Sequence, residues 1–121
     1  METKRLYEKL SLLENIAGEI AYNENTLIWR FHDSLCIEAL SEDGDTYIRI
    51  GNGDLHYHPD EEDMFQELCD INDGKKIFVS KLGIFGRHFT GIYEKDFFEA
   101  HKRLIKLGFG TRCYTSRGMI K

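Results

Sequence analysis

Proline and cysteine are scarce in this sequence, which has one proline and three cysteines in 121 residues. The cysteines, Cys36, Cys69 and Cys113, are odd in number and irregularly spaced, so they argue against the disulfide framework of a small secreted domain. We therefore expect reduced thiols. The sequence also lacks the roughly 20-residue apolar run of a membrane-spanning helix, and its N-terminus lacks the pattern of a signal peptide. These absences predict a cytoplasmic protein with no membrane partner.

The composition is that of an ordinary globular protein. Hydrophobic residues make up 41% of the chain and charged residues 31%, and eight Phe and six Tyr side chains can contribute to a core. No linker, internal repeat or low-complexity segment divides the sequence. We therefore predict one domain that spans residues 1–121.

Basic residues are almost absent from the middle of the chain. Residues 33–73 contain thirteen acidic residues and a single basic residue, Arg49, whereas residues 74–121 contain eleven basic and three acidic residues. If this segregation persists in the fold, the protein has an acidic face and a basic face, and each attracts a partner of opposite charge. Folding could equally interleave the two segments, so that their charges cancel across one sheet.

Hydrophobic periodicity predicts the elements of the first half of the chain. Apolar side chains recur at steps of three and four over residues 4–22, which is typical of an amphipathic helix. Between residues 26 and 58, alternating runs of β-branched and aromatic residues are separated by Asp-Gly and Asn-Gly pairs, which are strong hairpin signals. This region is predicted to form an antiparallel meander of four strands.

The second half of the chain is predicted to add two helices and further strands. Pro59 and the carboxylates after it favour the start of a short helix, and Asp96 and Glu99 have the spacing of a capping box before another. The order is an N-terminal helix, a four-strand meander, a helix, one or two strands, a helix and a C-terminal strand. We predict an α+β fold with a mostly antiparallel sheet and helices packed on one side.

Residues 54–63 concentrate the side chains best suited to binding. They include five carboxylates, two imidazoles and a phenol, contributed by Asp54, His56, Tyr57, His58, Asp60, Glu61, Glu62 and Asp63. Aromatic side chains within a field of one charge are typical of protein-binding surfaces. We predict that this segment binds a protein partner with a basic surface. The chain would then be a non-enzymatic inhibitor or an immunity-type protein, of the kind represented by small acidic bacterial immunity proteins.

The same segment offers an alternative, which is a site for zinc or another divalent metal. On a strand, His56 and His58 project from one face, Glu62 follows within a helical turn, and His32 would add a third nitrogen if its strand lay alongside. The histidines could instead lie on the solvent face while Leu55 and Tyr57 face the core.

The metal alternative includes a four-residue resemblance that the rest of the segment does not continue. His56-Tyr57-His58-Pro59 resembles the His-x-His-Pro element of the JAMM metalloproteases, which implies a metal-dependent hydrolase. The Ser and Asp that complete that element are replaced here by Gln66 and Cys69. With Glu62 the segment is also similar to the His-x-His-(x)3-Glu element of cupins, although no second cupin element follows.

A third interpretation is a nucleic-acid-binding module in the basic half of the chain. Residues 83–93 mix aromatic, glycine and basic residues, as single-stranded nucleic-acid platforms do. The lysines and arginine that could form a basic patch with them are Lys75, Lys76, Lys81, Lys102, Arg103 and Lys106. The aromatic residues could instead belong to the core, and the net charge of −5 opposes phosphate binding.

Nucleophilic catalysis by a cysteine is disfavoured. Cys36 and Cys69 lie in the acidic segment, which raises a thiol pKa, and Cys113 beside Arg112 is the one exception. The sequence has no serine-hydrolase elbow, phosphate-binding loop or dinucleotide fingerprint. A binding protein therefore ranks first, a metal-dependent hydrolase second and a nucleic-acid module third.

Overall fold

A computed structural model describes residues 2–51 and 55–120, and within them the chain forms an α+β fold with two antiparallel sheets and three helices. The predicted fold class is confirmed. The helices are α1 (Thr3–Leu10), α2 (Met64–Asn72) and α3 (Lys95–Ile105), and a 3₁₀ turn over Glu61–Asp63 precedes α2. The strands are β1 (Glu19–Asn23), β2 (Thr26–His32), β3 (Leu35–Glu42), β4 (Asp45–Ile50), β5 (Leu55–Tyr57), β6 (Lys76–Gly83), β7 (Gly86–Glu94), β8 (Arg112–Thr115) and β9 (Gly118–Ile120).

Sheet 1 contains the first five strands in the order β1-β2-β3-β4-β5, and each strand pairs with the next in antiparallel register. Four of these strands are those predicted between residues 26 and 58. The β3–β4 turn carries Asp43 and Gly44 with positive φ, which the predicted Asp-Gly turn requires. The predicted Asn-Gly turn at residues 52–54 lies outside the described residues.

Sheet 2 has the order β7-β6-β8-β9. β6 and β7 form a long hairpin, and residues 84 and 85 form its tip. β8 pairs with the other edge of β6, and the end of the chain adds β9. A single mostly antiparallel sheet was predicted, whereas the strands divide between two.

The main core lies between sheet 1, α1 and α2, and one face of sheet 2 closes it. Trp29 is fully buried in this core, and Phe78 of β6 belongs to the same cluster. A second, smaller core lies on the other face of sheet 2, where Phe98 and Ile105 of α3 pack against Ile77 and Val79. The prediction that all helices pack on one side is therefore wrong, because α3 covers the opposite face of sheet 2.

The predicted helix over residues 4–22 is also wrong in its second half. α1 ends at Leu10, and residues 19–23 form β1, whose side chains alternate between exposed and half-buried. Gly18 has a φ of +68°, and a Cβ built there would lie 2.0 Å from the carbonyl oxygen of Arg30. The chain therefore has to leave the helical conformation before Gly18, and strand pairing with β2 takes over.

The capping box predicted at the start of the third helix is not formed. α3 begins at Lys95, one residue before Asp96, and Glu94 occupies the N-cap position without a side-chain capping hydrogen bond. Asp96 still lies in the first turn, where its carboxylate complements the helix dipole. The helix itself is where the sequence predicted it. None of the helices in residues 2–51 and 55–120 is both long enough and apolar enough to cross a membrane.

Candidate functional site

The pairing of β4 with β5 sorts the predicted site residues onto two faces of sheet 1. Leu55 and Tyr57 pair with Ile50 and Ile48, which are both fully buried, so their side chains turn towards the core. His56 pairs with Arg49 on the outer face, and His56 and His58 are exposed. The period of two along a strand produces this separation.

The outer face holds a cluster of rings and carboxylates at the β4–β5 edge. His58 donates through Nδ1 to Oδ2 of Asp45 at 2.7 Å, and the Tyr47 ring centroid lies 5.2 Å from that of His58. His56 lies edge-on to His58 at 5.5 Å. The Tyr47 hydroxyl reaches Oε2 of Glu42 at 3.4 Å. The predicted histidines are therefore joined to residues of the β3–β4 hairpin that the sequence analysis did not select.

The predicted carboxylates follow β5 along the chain. Asp60 lies in the connection after β5, and Glu61, Glu62 and Asp63 form the 3₁₀ turn; all four are exposed. Asp54 lies outside the described residues. We use the name acidic face for the half-buried Tyr47 together with the exposed residues Glu42, Asp45, His56, His58, Asp60, Glu61, Glu62 and Asp63.

A basic group beside the acidic face is already paired with a carboxylate. Arg49, the one basic residue of residues 33–73, donates from Nε and Nη2 to Oε1 of Glu38 at 3.2 and 3.0 Å. The Glu38 carboxylate on the neighbouring strand β3 therefore compensates the guanidinium charge. The acidic face therefore keeps a net negative charge.

The residues of the metal alternative are not brought together. β2 and β5 are separated by two strands, so His32 lies at least about 14 Å from His56 at the usual strand spacing of about 4.8 Å. His32 donates through Nε2 to the carbonyl oxygen of Thr115 at 2.9 Å, which ties it to sheet 2. Within the described residues, no three His, Cys, Asp or Glu side chains are grouped so that they could hold a metal ion.

Tyr57 belongs to a different site, a polar network between α2 and sheet 2. Its hydroxyl donates to Oε2 of Glu67 at 2.6 Å, and Nζ of Lys76 lies 3.2 Å from Oε1 of the same carboxylate. The Lys76 ammonium also donates to Glu94. The Lys76 side chain is 11% exposed and that of Glu67 15%, whereas Glu94 is 64% exposed.

The network holds Lys76 and Tyr57 in their protonated forms. Burial raises the pKa of Tyr57 well above its ordinary value, and the hydrogen bond to Glu67 raises it further. Burial alone would lower the pKa of Lys76, but the hydrogen bonds and charges of Glu94 and Glu67 outweigh it and raise the pKa. Neither group is therefore suited to exchange a proton near neutral pH.

The network lies at the wall of a cavity of about 380 Å³ that opens between β5, α2 and β7. Its apolar lining comes from Leu55 and Ile92, and its polar end from Glu67, Lys76 and Glu94. A cavity of this size with a few convergent polar groups has the general character of a small-molecule site.

Periodicity gave a signal for Glu67 that the sequence analysis did not use. Met64, Leu68 and Ile71 form the apolar stripe of α2, and Glu67 occupies the i+3 position of that stripe. A carboxylate at such a position needs a partner. Lys76 lies two positions before the buried residue Phe78 and therefore on the same face of β6. A lysine at such a position also needs a partner. Nothing in the sequence shows that these two residues meet.

The three thiols lie in environments that disfavour ionisation. Burial raises the pKa of each cysteine, and Glu38 adds to the effect at Cys36. At Cys113 the charges of Lys106, Lys102 and Lys81 oppose the effect of burial without reversing it. A reactive thiolate is therefore not favoured at any of the three positions.

The basic and aromatic segment of residues 83–93 divides between core and surface. Phe89 and Ile92 pack against the main core, whereas Ile84 and Phe85 at the hairpin tip are 96% and 103% exposed. The tip lies beside the loop that follows α3, because Leu82 N donates to the carbonyl oxygen of Phe109 at 3.2 Å.

Comparisons with known proteins give no relative for this fold or this site. The chain matches no protein-family model, and neither the curated proteins nor the solved structures give a match.

Proposed function

We propose that the chain is a non-enzymatic binding protein of the cytoplasm, an inhibitor or immunity-type protein whose acidic face contacts a basic surface on a protein partner. The observation that carries this proposal is the clustering of exposed carboxylates around an aromatic centre. Tyr47, His56 and His58 lie in ring contact, and Asp45 and Glu42 bond to two of them.

The cluster has the organisation of an interface hot spot. Tyrosine and histidine rings offer contact area at a low cost in side-chain entropy, and the surrounding carboxylates accelerate association with a cationic surface. Tyr57 takes no direct part, because its hydroxyl is bonded to Glu67 on the other face of the strand. We assign Tyr57 the role of fixing β5 beneath the two histidines.

The proposal is tested by capture from extracts of the source cells on immobilised protein. We expect a basic protein to be retained and to elute as salt is raised. Asp60→Lys/Glu62→Lys should weaken its binding at least about tenfold, because like charges then face each other. The control, Glu8→Lys/Glu99→Lys, makes the same change in net charge at exposed positions of α1 and α3 and should bind normally. Equal capture by the two variants would contradict a role for the acidic face.

Single-stranded nucleic acid is a second candidate partner, which would bind to sheet 2. It is favoured by the exposed rings of Phe85 and Phe109, whose loops are flanked by Lys81 and Arg87. Stacking on such rings, combined with cationic contacts to phosphate, is the usual mode of sequence-tolerant binding. A band shift with single-stranded RNA or DNA that weakens steeply with salt and is lost in Phe85→Ser/Phe109→Ser would support it. The absence of a shift at low salt would remove it.

A further inference from the structure

The cavity between β5, α2 and β7 has a polar end with an excess of negative charge. Glu67 and Glu94 carry two carboxylates, and Lys76 supplies one ammonium between them. Tyr57 stays neutral as the donor to Glu67. Two carboxylates and one ammonium give this set of four side chains a formal net charge of −1.

The two carboxylates differ in what they can still bind. Both oxygens of Glu67 are engaged, one by Tyr57 and the other by Lys76. Glu94 contacts Lys76 through Oε1, and its side chain is 64% exposed at the cavity rim. The negative charge that Lys76 does not compensate therefore lies on Glu94 at the rim, where a ligand can reach it.

Beside Glu94 the side chains of β7 alternate between two faces, so Ile92 lines the cavity together with Leu55, whereas the Tyr93 ring turns to the α3 face of sheet 2. Tyr93 stacks on Phe97 with parallel rings at 5.9 Å, and Phe97 stacks in turn on His101 at 4.2 Å. The Tyr93 ring also lies across Gly91, where a Cβ would come within 2.7 Å of it. The glycine lets the ring fold against β7, and the stack on α3 holds it there.

We propose that this cavity binds a small organic cation, an amine or amidinium on an apolar or aromatic body. The cationic group pairs with Glu94, and the body lies between Ile92 and Leu55. An anion is disfavoured, because the one ammonium in the cavity is already held by two carboxylates. This site does not depend on the protein-binding function proposed for the acidic face.

Benzamidine, benzamide and benzoate are suitable probes, since they have nearly the same shape and carry a positive, a zero and a negative charge. Titrations of the full chain followed by NMR should show saturable binding of benzamidine, with shifts at residues 91–94. Benzamide should bind about tenfold more weakly, and benzoate should not bind. Tighter binding of benzoate, or the absence of benzamidine binding, would overturn the proposal.

Two variants locate the bound cation. Glu94→Gln keeps an oxygen that can accept from Lys76 but removes the charge, so it should abolish the preference for benzamidine over benzamide. Ile92→Ala should remove part of the apolar lining and weaken both probes. Glu99→Gln, at an exposed position of α3, is the control and should behave as wild type. Benzamidine binding that is unchanged in Glu94→Gln would refute the assignment.

The cation could belong to a free metabolite or to a side chain of another protein. Nα-acetyllysine amide reproduces a lysine side chain and can be titrated in the same way. Tighter binding of benzamidine would identify a free aryl or alkyl cation as the ligand class. Tighter binding of the lysine derivative, with the same loss in Glu94→Gln, would identify a protein side chain.

Discussion

At the scale of single residues, adjacent lysines illustrate how strongly burial decides the effect of a charge. Lys76 lies between Glu67 and Glu94 and is 11% exposed, whereas Lys75 is 62% exposed and lies 3.8 Å from Asp70. The sequence alone does not show which of the two lysines is buried. Only the pairing of β6 with β7 determines which of the two faces α2.

Replacement of these two lysines by methionine should therefore have unequal effects. Lys76→Met leaves the Glu67 carboxylate buried without its ammonium, and we expect a loss of about 3 kcal/mol in the free energy of unfolding. Lys75→Met should cost less than about 1 kcal/mol, because exposed ion pairs contribute little. Urea denaturation measures both, and similar losses would show that the buried pair is not a stabilising unit.

The same network predicts a dependence of stability on alkaline pH. The pKa values of Lys76 and Tyr57 are raised in the fold, so above about pH 10 the unfolded chain releases protons that the folded chain retains. Their stabilising contribution is complete below that pH and is lost as the pH rises through the folded pKa values. We expect the free energy of unfolding to fall above about pH 10, and to fall less steeply in Tyr57→Phe. An identical slope in the variant would contradict the role of Tyr57.

At the scale of elements, the segment between α1 and β1 is held by a buried amide. Asn72 accepts from Ala17 N at 2.8 Å through Oδ1 and donates to the Asn15 carbonyl oxygen at 2.8 Å, and Ser116 donates to its backbone oxygen at 2.7 Å. Trp29 Nε1 donates to the Ala17 carbonyl oxygen at 2.8 Å. These bonds connect α2, β2 and the β8–β9 turn to a segment without regular structure.

Removal of this amide should loosen the connection. Asn72→Ala leaves the Ala17 N–H buried without a partner, which should cost about 2 kcal/mol in unfolding free energy. Gln66→Ala on the same helix removes an exposed side-chain hydrogen bond to Asp70 and should cost less than about 1 kcal/mol. Hydrogen exchange at Ala17 provides a second measurement, and we expect it to be faster only in the Asn72 variant.

Two glycines with positive φ provide another comparison between elements. Gly18 has a φ of +68° and lies against the backbone of Arg30 and Phe31, whereas Gly44 has a φ of +80° in the β3–β4 turn with nothing within 4 Å of a built Cβ. Gly44→Ala should cost about 1 kcal/mol from backbone strain alone. Gly18→Ala should cost clearly more, because β1 and β2 must also move apart. Thermal unfolding of both variants tests this, and equal costs would mean that the contact is not limiting.

The sequence predicts correctly those elements whose formation depends on interactions between residues that are close in the chain. The hairpins between residues 26 and 50 follow from alternation and turn chemistry, which act within a few residues, and they lie where they were expected. The end of α1 does not lie where it was expected. Leu13, Ala17 and Ile20 continue the helical spacing, but the β2 backbone beside Gly18 favours strand pairing over a helix there. The pairing of Glu67 with Lys76 is equally non-local, since it depends on how sheet 2 docks against α2.

At the scale of the whole molecule, the charge segregation along the sequence becomes a segregation between sheets. The acidic segment, residues 33–73, builds β3 to β5 and α2, whereas the basic segment builds sheet 2 and α3. The two meet at the ion pairs that Lys75 and Lys76 make with α2. The charges of the two segments are therefore not interleaved within one sheet.

This arrangement predicts that the protein binds to exchangers of both signs. At pH 7 and low salt it should be retained on a cation exchanger despite its net charge of −5, because α3 and sheet 2 present a local excess of basic groups. Lys102→Glu/Arg103→Glu should abolish that retention, whereas Lys4→Glu/Arg5→Glu, with the same change in net charge on α1, should reduce it less. Loss of retention to the same extent in both variants would mean that net charge alone governs adsorption.

The alternation along β4 and β5 also bears on how such a protein can diverge. Every second residue of these strands points towards the core, and the residues between them, including Tyr47 and His56, face outward. A change at an outward position leaves the packed side of the strand as it was. During evolution, the outward-facing residues of this sheet can therefore be substituted one at a time, while each intermediate sequence still folds.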